Sequence, residues 1–331
     1  MKKVVLGLSG GVDSAVAARL LQRDGWEVHG LYLDIGTEDV RRDAEETARF
    51  LGVPLAVRDI SAQLEARVCR PFVDAYLRGE TPNPCIMCNP SVKFKGLMDC
   101  ADEIGADCIA TGHYARTRDG MLFKGMPAND QSYMLCRLTR EQVTRLILPL
   151  GAYEKAQVRQ LALEFEIPIA SKPDSMEICF IPDKDYIGWI QRRSAVPGGG
   201  ELVLHGEVIG RHEGIHRYTV GQRWPGLYNE RKVYVSEIQA AENRVVLALW
   251  EELFKTEVHA REMNWLIDKP EKPIRASVRV RHTKWENPAC TVSVEGDGAC
   301  IIADEALRAP AKGQSAVLYD GDRVLGGGYI V

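Results

Sequence analysis

KKVVLGLSGGVDS, residues 2–14, decides how the chain is built. The apolar run VVLGL reads as a buried first strand, and SAVAARLLQRDG (14–25) behind it reads as a helix. Between them lies Ser9-Gly10-Gly11-Val12-Asp13-Ser14, preceded by Gly7 and Leu8. Glycines let the backbone turn tightly there and aim successive N–H groups at one point. The helix N-terminus adds its partial positive charge, so the turn suits an anion such as phosphate. Ser9 and Ser14 offer hydroxyls, and Asp13 offers a carboxylate for a magnesium ion. The Gly-Lys-Ser/Thr ending of the Walker loop is absent. For a Gly-Gly pair alone, a plain tight turn with a serine cap is the simpler reading.

Outward from this turn, strand-like and helix-like runs alternate. EVHGLYLDI (27–35) precedes DVRRDAEETARFLG (39–52), and PLAVRDI (54–60) precedes a long amphipathic stretch over 61–78. A helical pattern at 93–105 leads into DCIATGH (107–113). This alternation predicts an α/β fold with a doubly wound, mostly parallel sheet. After residue 194 short alternating runs are separated by Gly, Asn and Asp turns, which predicts small antiparallel sheets or barrels. The expected organisation is a nucleotide-binding catalytic domain at 1–193, a small β-rich domain at 194–254 and a β-barrel-like domain at 255–331. No internal repeat or low-complexity tract interrupts it.

Composition narrows the class. The 331 residues are 45% hydrophobic and 27% charged, ordinary for a soluble globular protein. The run VVLGL is too short for a signal peptide and enters a glycine turn, so a cytoplasmic protein without membrane contact is expected. Nine cysteines, an odd number, argue against a disulfide scaffold. Net charge is −4, with 23 basic against 27 acidic residues in 1–190 and 19 of each in 191–331. A nucleic-acid partner would therefore need local basic patches. The best is at 275–284: if 275–283 is one strand, Arg275, Arg279, Arg281 and Thr283 share a face, with His282 and Lys284 beside them.

NPCIMCNP (83–90) sets Cys85 and Cys88 three positions apart. Such a pair suits a zinc knuckle, a redox couple, part of an iron–sulfur site, or a catalytic thiol with a bystander. A four-cysteine zinc site would need a second close pair, and the chain has none.

The loop SGGVDS resembles the pyrophosphate loop of the ATP pyrophosphatases, which activate substrates as adenylates. The resemblance extends through TPNPCIMCNPSVKF (81–94), ATGHYAR (110–116), NDQSYML (129–135), KPDSMEICFIPD (172–183), HRYTVGQRWPGL (216–227) and GQSAVLYDGDRVLGGGYI (313–330). In that order these segments are similar to the MnmA-type tRNA-specific 2-thiouridylases over nearly the whole length. The resemblance implies 2-thiouridine formation at wobble nucleotide 34 of glutamate, glutamine and lysine tRNAs, with ATP, Mg2+ and a sulfur donor protein or sulfide.

It further implies ATP contacts at Gly7 to Ser14, Leu33 and Gly112, and tRNA contacts at Asn83, Pro84, Cys85, His113, Asn129, Asp130, Gln131, Arg281, His282 and Gln314. Cys179 would carry a persulfide, and Cys88 would be the nucleophile that releases its sulfur. A thiol acts as thiolate, and Lys93 or His113 is expected to favour that form of Cys88. Taken singly, Cys179 reads as a core cysteine, Leu33 as core, and 129–131 as a polar turn.

Two departures stand out. Many family members have Asp where this chain has Cys85, and a thiol of pKa ~8.5 cannot act as acid/base in the same way as a carboxyl of ~3.9. The segment after Asp34 is also shorter than the tryptophan-containing loop the family commonly carries there. Cys85, Cys88 and Cys179 together match the donors of a [4Fe-4S] cluster with one open iron, an alternative sulfur carrier. Two other functions use subsets of these features: a small-molecule amidotransferase or synthetase needs only the loop, and a non-catalytic RNA-binding module needs only the C-terminal β-domains.

Overall fold

The computed structural model describes residues 2–173, 178–281 and 287–331. They form two compact units. The first comprises residues 1–68, 85–176 and 322–324, and the second 69–84, 177–321 and 325–331.

The first unit is built on a five-stranded parallel sheet. Its strands are β1 (Lys3–Gly7), β2 (Glu27–Asp34), β3 (Leu55–Asp59), β4 (Cys108–Ala110) and β7 (Leu146–Ile147). Their order is β3-β2-β1-β4-β7, and every neighbouring pair is parallel. The doubly wound sheet expected from the alternation is therefore present. Val4, Val5 and Leu6 of β1 have no exposed surface, as a central strand covered on both faces requires. α1 (Val12–Arg23) and α2 (Glu38–Leu51) follow β1 and β2. α1 starts two residues earlier than its sequence pattern implied, because Gly11 already stands in extended conformation as the N-cap. Ala15, Val16, Ala17 and Ala18 are fully buried, and α1 shares a core with Val158 and Ala162 of the later helix α8 (Lys155–Glu164).

The stretch 61–78 is helical without interruption to Leu77, but its pitch changes. It divides into α3 (Ser61–Leu64), a π-helical turn at Glu65–Cys69, and α4 (Arg70–Leu77). Pro71 near the start of α4 has no N–H to return to the preceding turn, which accounts for the wide turn before it. The same happens between α5 (Pro84–Cys88) and α6 (Phe94–Ile104). There Asn89–Lys93 is π-helical and contains Pro90. A hairpin, β5 (Ala115–Arg118) with β6 (Met121–Lys124), and the short helix α7 (Arg140–Thr144) lie between β4 and α8.

After α9 (Tyr186–Gln191) the second unit contains five strands, β8 to β12. With β9 at Glu207–Arg211, β10 at Arg223–Tyr228 and β11 at Arg231–Gln239, they run in the order β10-β11-β12-β8-β9. All pairs are antiparallel except β12 (Arg244–Leu249) with β8 (Glu201–Leu204), which is parallel. Six further strands close on themselves: β13 (Phe254–Trp265), β14 (Ile274–Arg279), β15 (Ala289–Glu295), β16 (Gly298–Arg308), β17 (Ser315–Asp320) and β18 (Arg323–Ile330). Their order is β13-β16-β15-β14-β17-β18, and β13 also pairs with β18. Val278, Val292, Ile301 and Leu318 fill the interior. No helix among the described residues is long and apolar enough to cross a membrane.

Candidate active site

In the sheet order, β1 and β4 are the strands at which the winding reverses, and ligands of open α/β sheets bind beyond the carboxyl ends of such a pair. Ser9 to Ser14 follow β1 directly, and Thr111 to His113 follow β4. Gly10 has φ +70°, and a Cβ there would lie 2.8 Å from the Ala44 nitrogen and from Asp43 Cβ of α2. Only glycine fits without moving α2. Gly112 meets the loop from the other side: its Cβ would lie 3.1–3.2 Å from backbone and Cβ atoms of Asp13 and Ser14.

The serines organise the turn internally. Ser14 Oγ donates to the Gly11 carbonyl at 2.9 Å, and the Ser9 N–H donates to Ser14 Oγ at 3.3 Å. Gly11 supplies no side-chain cap. The first N–H groups of α1 have no intrahelical acceptor and carry the positive end of the helix dipole. The arrangement fits a phosphate.

Asp13 is held in an unexpected way. Lys155 Nζ lies 2.7 Å from both of its carboxylate oxygens, and the Tyr114 hydroxyl donates to one of them at 2.8 Å. A magnesium ion at Asp13 would compete with the Lys155 ammonium for the same oxygens. Neither Lys155 nor Tyr114 was singled out from sequence.

The segment 129–131 buttresses these two residues. Gln131 brackets Tyr114: its Oε1 accepts the Tyr114 N–H at 2.9 Å, and its own N–H donates to the Tyr114 carbonyl at 2.8 Å. With its amide turned to satisfy both ends, Asn129 accepts the Lys155 N–H at 2.7 Å. Asp130 is buried and accepts from the N–H groups of Gly125 and Ser132 and from the Ser132 hydroxyl, at 2.8–3.0 Å. A second ion pair missed from sequence joins Lys172 to Asp43. Arg159 Nη1 donates to the carbonyls of Ala170 and Lys172 and ties that loop to α8.

His113 sits with Nδ1 2.7 Å from Thr111 Oγ1 and its ring centroid 5.9 Å from that of Phe94. Burial, with the Lys93 ammonium second, pushes its imidazole down to about 3. The ring is neutral at pH 7, so it supplies no charge to favour a Cys88 thiolate. Leu33, at the end of β2, has Cδ2 3.1 Å from the point where a Gly96 Cβ would lie, so β2 and α6 approach closely there.

Of the nine cysteines, Cys85 and Cys179 are exposed and Cys88 is half-buried, whereas Cys69, Cys100, Cys136 and Cys290 are buried. The two most accessible thiols are thus among the three that sequence singled out. Cys85 and Cys88 lie on α5 at i and i+3, the spacing that brings helix side chains together. Asn83 before them is half-buried and Pro84 buried. Asn89, next to Cys88, is 1% exposed; its amide donates to the Met134 carbonyl at 2.8 Å, while its buried Oδ1 accepts no hydrogen bond among the described residues. Cys179 belongs to the second unit. Its neighbour Phe180 packs in an aromatic cluster with Phe72 and Trp189, at centroid distances of 5.6 and 5.1 Å.

The basic patch differs from expectation. β14 ends at Arg279, so 275–283 is not one continuous strand, and His282, Thr283 and Lys284 lie outside the described residues. Arg275 is paired with Asp304, and Arg279 Nε donates to Asn287 Oδ1 at 3.0 Å. Arg281 Nε donates to the Ala309 carbonyl at 2.9 Å and its Nη2 to the Val220 carbonyl. Gln314 Nε2 donates to the Thr81 carbonyl at 2.7 Å. These side chains are engaged in holding the second unit together.

A family model described as tRNA methyl transferase HUP domain matches residues 2–183. Models described as tRNA methyl transferase PRC-barrel domain and aminomethyltransferase beta-barrel domain match residues 190–248 and 255–330. The tRNA-specific 2-thiouridylase MnmA of Clostridioides difficile (strain 630) is 39% identical over 353 residues, covering 99% of this chain and 98% of its own. That of Syntrophotalea carbinolica is 39% identical over 351 residues, with the same two coverages. That of Geobacter metallireducens is 39% identical over 357 residues, covering 99% of this chain and 96% of its own.

Proposed function

The chain belongs to the MnmA-type tRNA-specific 2-thiouridylase family, and on that premise we propose that it uses ATP to replace the C2 oxygen of a tRNA uridine by sulfur. The proposed target is wobble nucleotide 34 of glutamate, glutamine and lysine tRNAs. The observation that carries the reading is the loop Ser9–Ser14 at the winding reversal, with Lys155 and Gly112 against Asp13.

The uridine O2 attacks the α-phosphorus of ATP, and pyrophosphate leaves toward the free N–H groups of α1. Adenylation turns a poor leaving group into AMP. Lys155 fixes Asp13, and Asp13 with Gly112 holds the first turn of α1 in shape. Mg2+ would neutralise the departing phosphates. Leu33 and Gly112 line the adenosine side, and the target base must be drawn out of its stack to reach the site.

For sulfur transfer, Cys179 carries the outer sulfur of a persulfide supplied by a donor protein. The Cys88 thiolate attacks the inner sulfur, forms a Cys88–Cys179 disulfide and releases hydrosulfide. Hydrosulfide adds to C2, AMP leaves, and a dithiol reductant restores both thiols. The exposure of Cys85 and its i, i+3 spacing from Cys88 favour a second carrier. Three thiolates at 85, 88 and 179 match the donor type of a [4Fe-4S] cluster, which would supply an open iron for hydrosulfide.

Unmodified tRNA incubated with the protein, ATP, Mg2+ and a sulfide source should yield 2-thiouridine at position 34 by nucleoside mass spectrometry, with one AMP and one pyrophosphate per event. Adenylate formation on a small molecule without tRNA would overturn the reading. Iron and acid-labile sulfide in anaerobically purified protein, lost in Cys85→Ser together with activity, would select the cluster. Activity of iron-free protein that depends on a desulfurase would select the persulfide.

A further inference from the structure

We propose that Glu257, His259 and Cys300, with Glu295 beside them, form a binding site for a borderline-soft divalent cation such as Zn2+ on the outer face of the C-terminal barrel. The site is separate from the thiols assigned to sulfur transfer and rests on geometry within the second unit alone.

The sheet register builds it. β13 and β16 are antiparallel neighbours, and His259 stands directly opposite Cys300. Side chains alternate along a strand, so Glu257 shares the face of His259 two residues earlier. Burial follows the same alternation: Val258, Ala260, Ala299 and Ile301 point into the barrel core, whereas Glu257 and His259 are exposed and Cys300 is half-buried. One ligand atom from each of Glu257, His259 and Cys300 lies within 4.8 Å of the other two. His259 Nε2 is 2.8 Å from a Glu257 carboxylate oxygen, and its Nδ1 is 3.6 Å from Glu295. Glu295 closes the β15–β16 hairpin, opposite Gly298.

The donor set is what makes this more than an acidic patch. Thiolate, imidazole and carboxylate together are the ligands of tetrahedral zinc, at bond lengths of about 2.0–2.3 Å. Those bonds require ligand atoms about 3.3–3.8 Å apart, so side-chain shifts of about 1 Å bring the three donors onto one cation and leave the fourth position to solvent. Hard cations such as Mg2+ take all-oxygen sets and would leave the sulfur unused. Binding releases the Cys300 thiol proton to solvent and leaves oxidation states unchanged. A plain His–carboxylate surface pair explains Glu257 and His259 but assigns nothing to Cys300.

The test uses the full-length, metal-free protein and Co2+ alone as probe, followed by Zn2+. One Co2+ per chain should bind with thiolate-to-cobalt charge-transfer absorption and visible bands of a tetrahedral ion, and Zn2+ should displace it. Cys300→Ser should abolish the charge-transfer band. His259→Ala should weaken binding by more than the about 10–100-fold that loss of an outer-shell partner costs. The triple variant Cys85→Ser/Cys88→Ser/Cys179→Ser should keep the signal. The proposal is overturned if the band survives Cys300→Ser, if it vanishes in the triple variant, or if the wild type shows no such band. Should Cys300→Ser fail to fold, Glu257→Gln and His259→Ala, both at exposed positions, decide by the same spectrum: unchanged binding in both overturns the site.

Discussion

Lys155 and Asp13, 142 positions apart, form a two-pronged ion pair with Nζ 2.7 Å from each carboxylate oxygen. Both side chains are largely shielded, at 25% and 32% exposure, so neither charge is fully repaid by water. Lys155→Met should cost about 1–2 kcal/mol of stability and slow adenylation more than it weakens tRNA binding. A cycle with Asp13→Asn should show coupling of about 1 kcal/mol or more, because each single change strands the other partner. Urea unfolding and tRNA-dependent pyrophosphate release measure the two effects.

Gly112→Ala should raise KM for ATP with little loss of tRNA affinity. Its new methyl would press on the backbone of Asp13 and Ser14 at 3.1–3.2 Å and displace the first turn of α1. Gly10→Ala should be worse, since it adds a positive φ to a 2.8 Å clash with α2. Steady-state kinetics with ATP varied at saturating tRNA orders the two variants.

The buried carboxylate of Asp130 accepts three hydrogen bonds within its own turn. Asp130→Ala should therefore destabilise the protein by about 2–3 kcal/mol, leaving buried donors unpaired. Gln131→Leu should loosen Tyr114, and through it Asp13, so its defect should fall on ATP use. Were 129–131 chiefly a tRNA contact, Gln131→Leu would instead raise KM for tRNA with ATP parameters intact.

Lowered pH should destabilise the fold through His113. Its folded value of about 3 lies below the ordinary 6.5, so between those limits the unfolded chain binds the extra proton. Stability is complete above pH 6.5 and declines as pH falls toward 3, by at most about 1.4 kcal/mol per unit. His113→Gln should show a smaller drop in urea midpoint between pH 7.5 and pH 5 than the wild type.

The strand–loop–helix at the amino terminus and the parallel sheet were legible because they are written in local periodicity and in glycines at required turns. Lys155, Tyr114, Lys172 and Asp43 were not, since each acts through a partner 101 to 142 positions away. Their local surroundings carry no periodic signal. Pro71 and Pro90 go with a wide turn in otherwise α-helical runs, a change of pitch that amphipathic periodicity does not signal. The arginines of 275–281 looked free because their partners Asp304, Asn287 and Ala309 follow in later segments of the barrel.

The π-helical turn at Asn89–Lys93 fixes the rotational phase of the thiols that precede it. A wide turn accommodates one residue more than an α-helical turn. Deleting a single residue there would rotate Cys85 and Cys88 by roughly 100° about the axis of α6 while leaving the helix itself intact. The segment thus works as a phase shifter. Its length sets the angular position of the two sulfurs around the helix, so a one-residue insertion or deletion here should misplace both thiols together, while buried Asn89 and Val92 keep the turn packed.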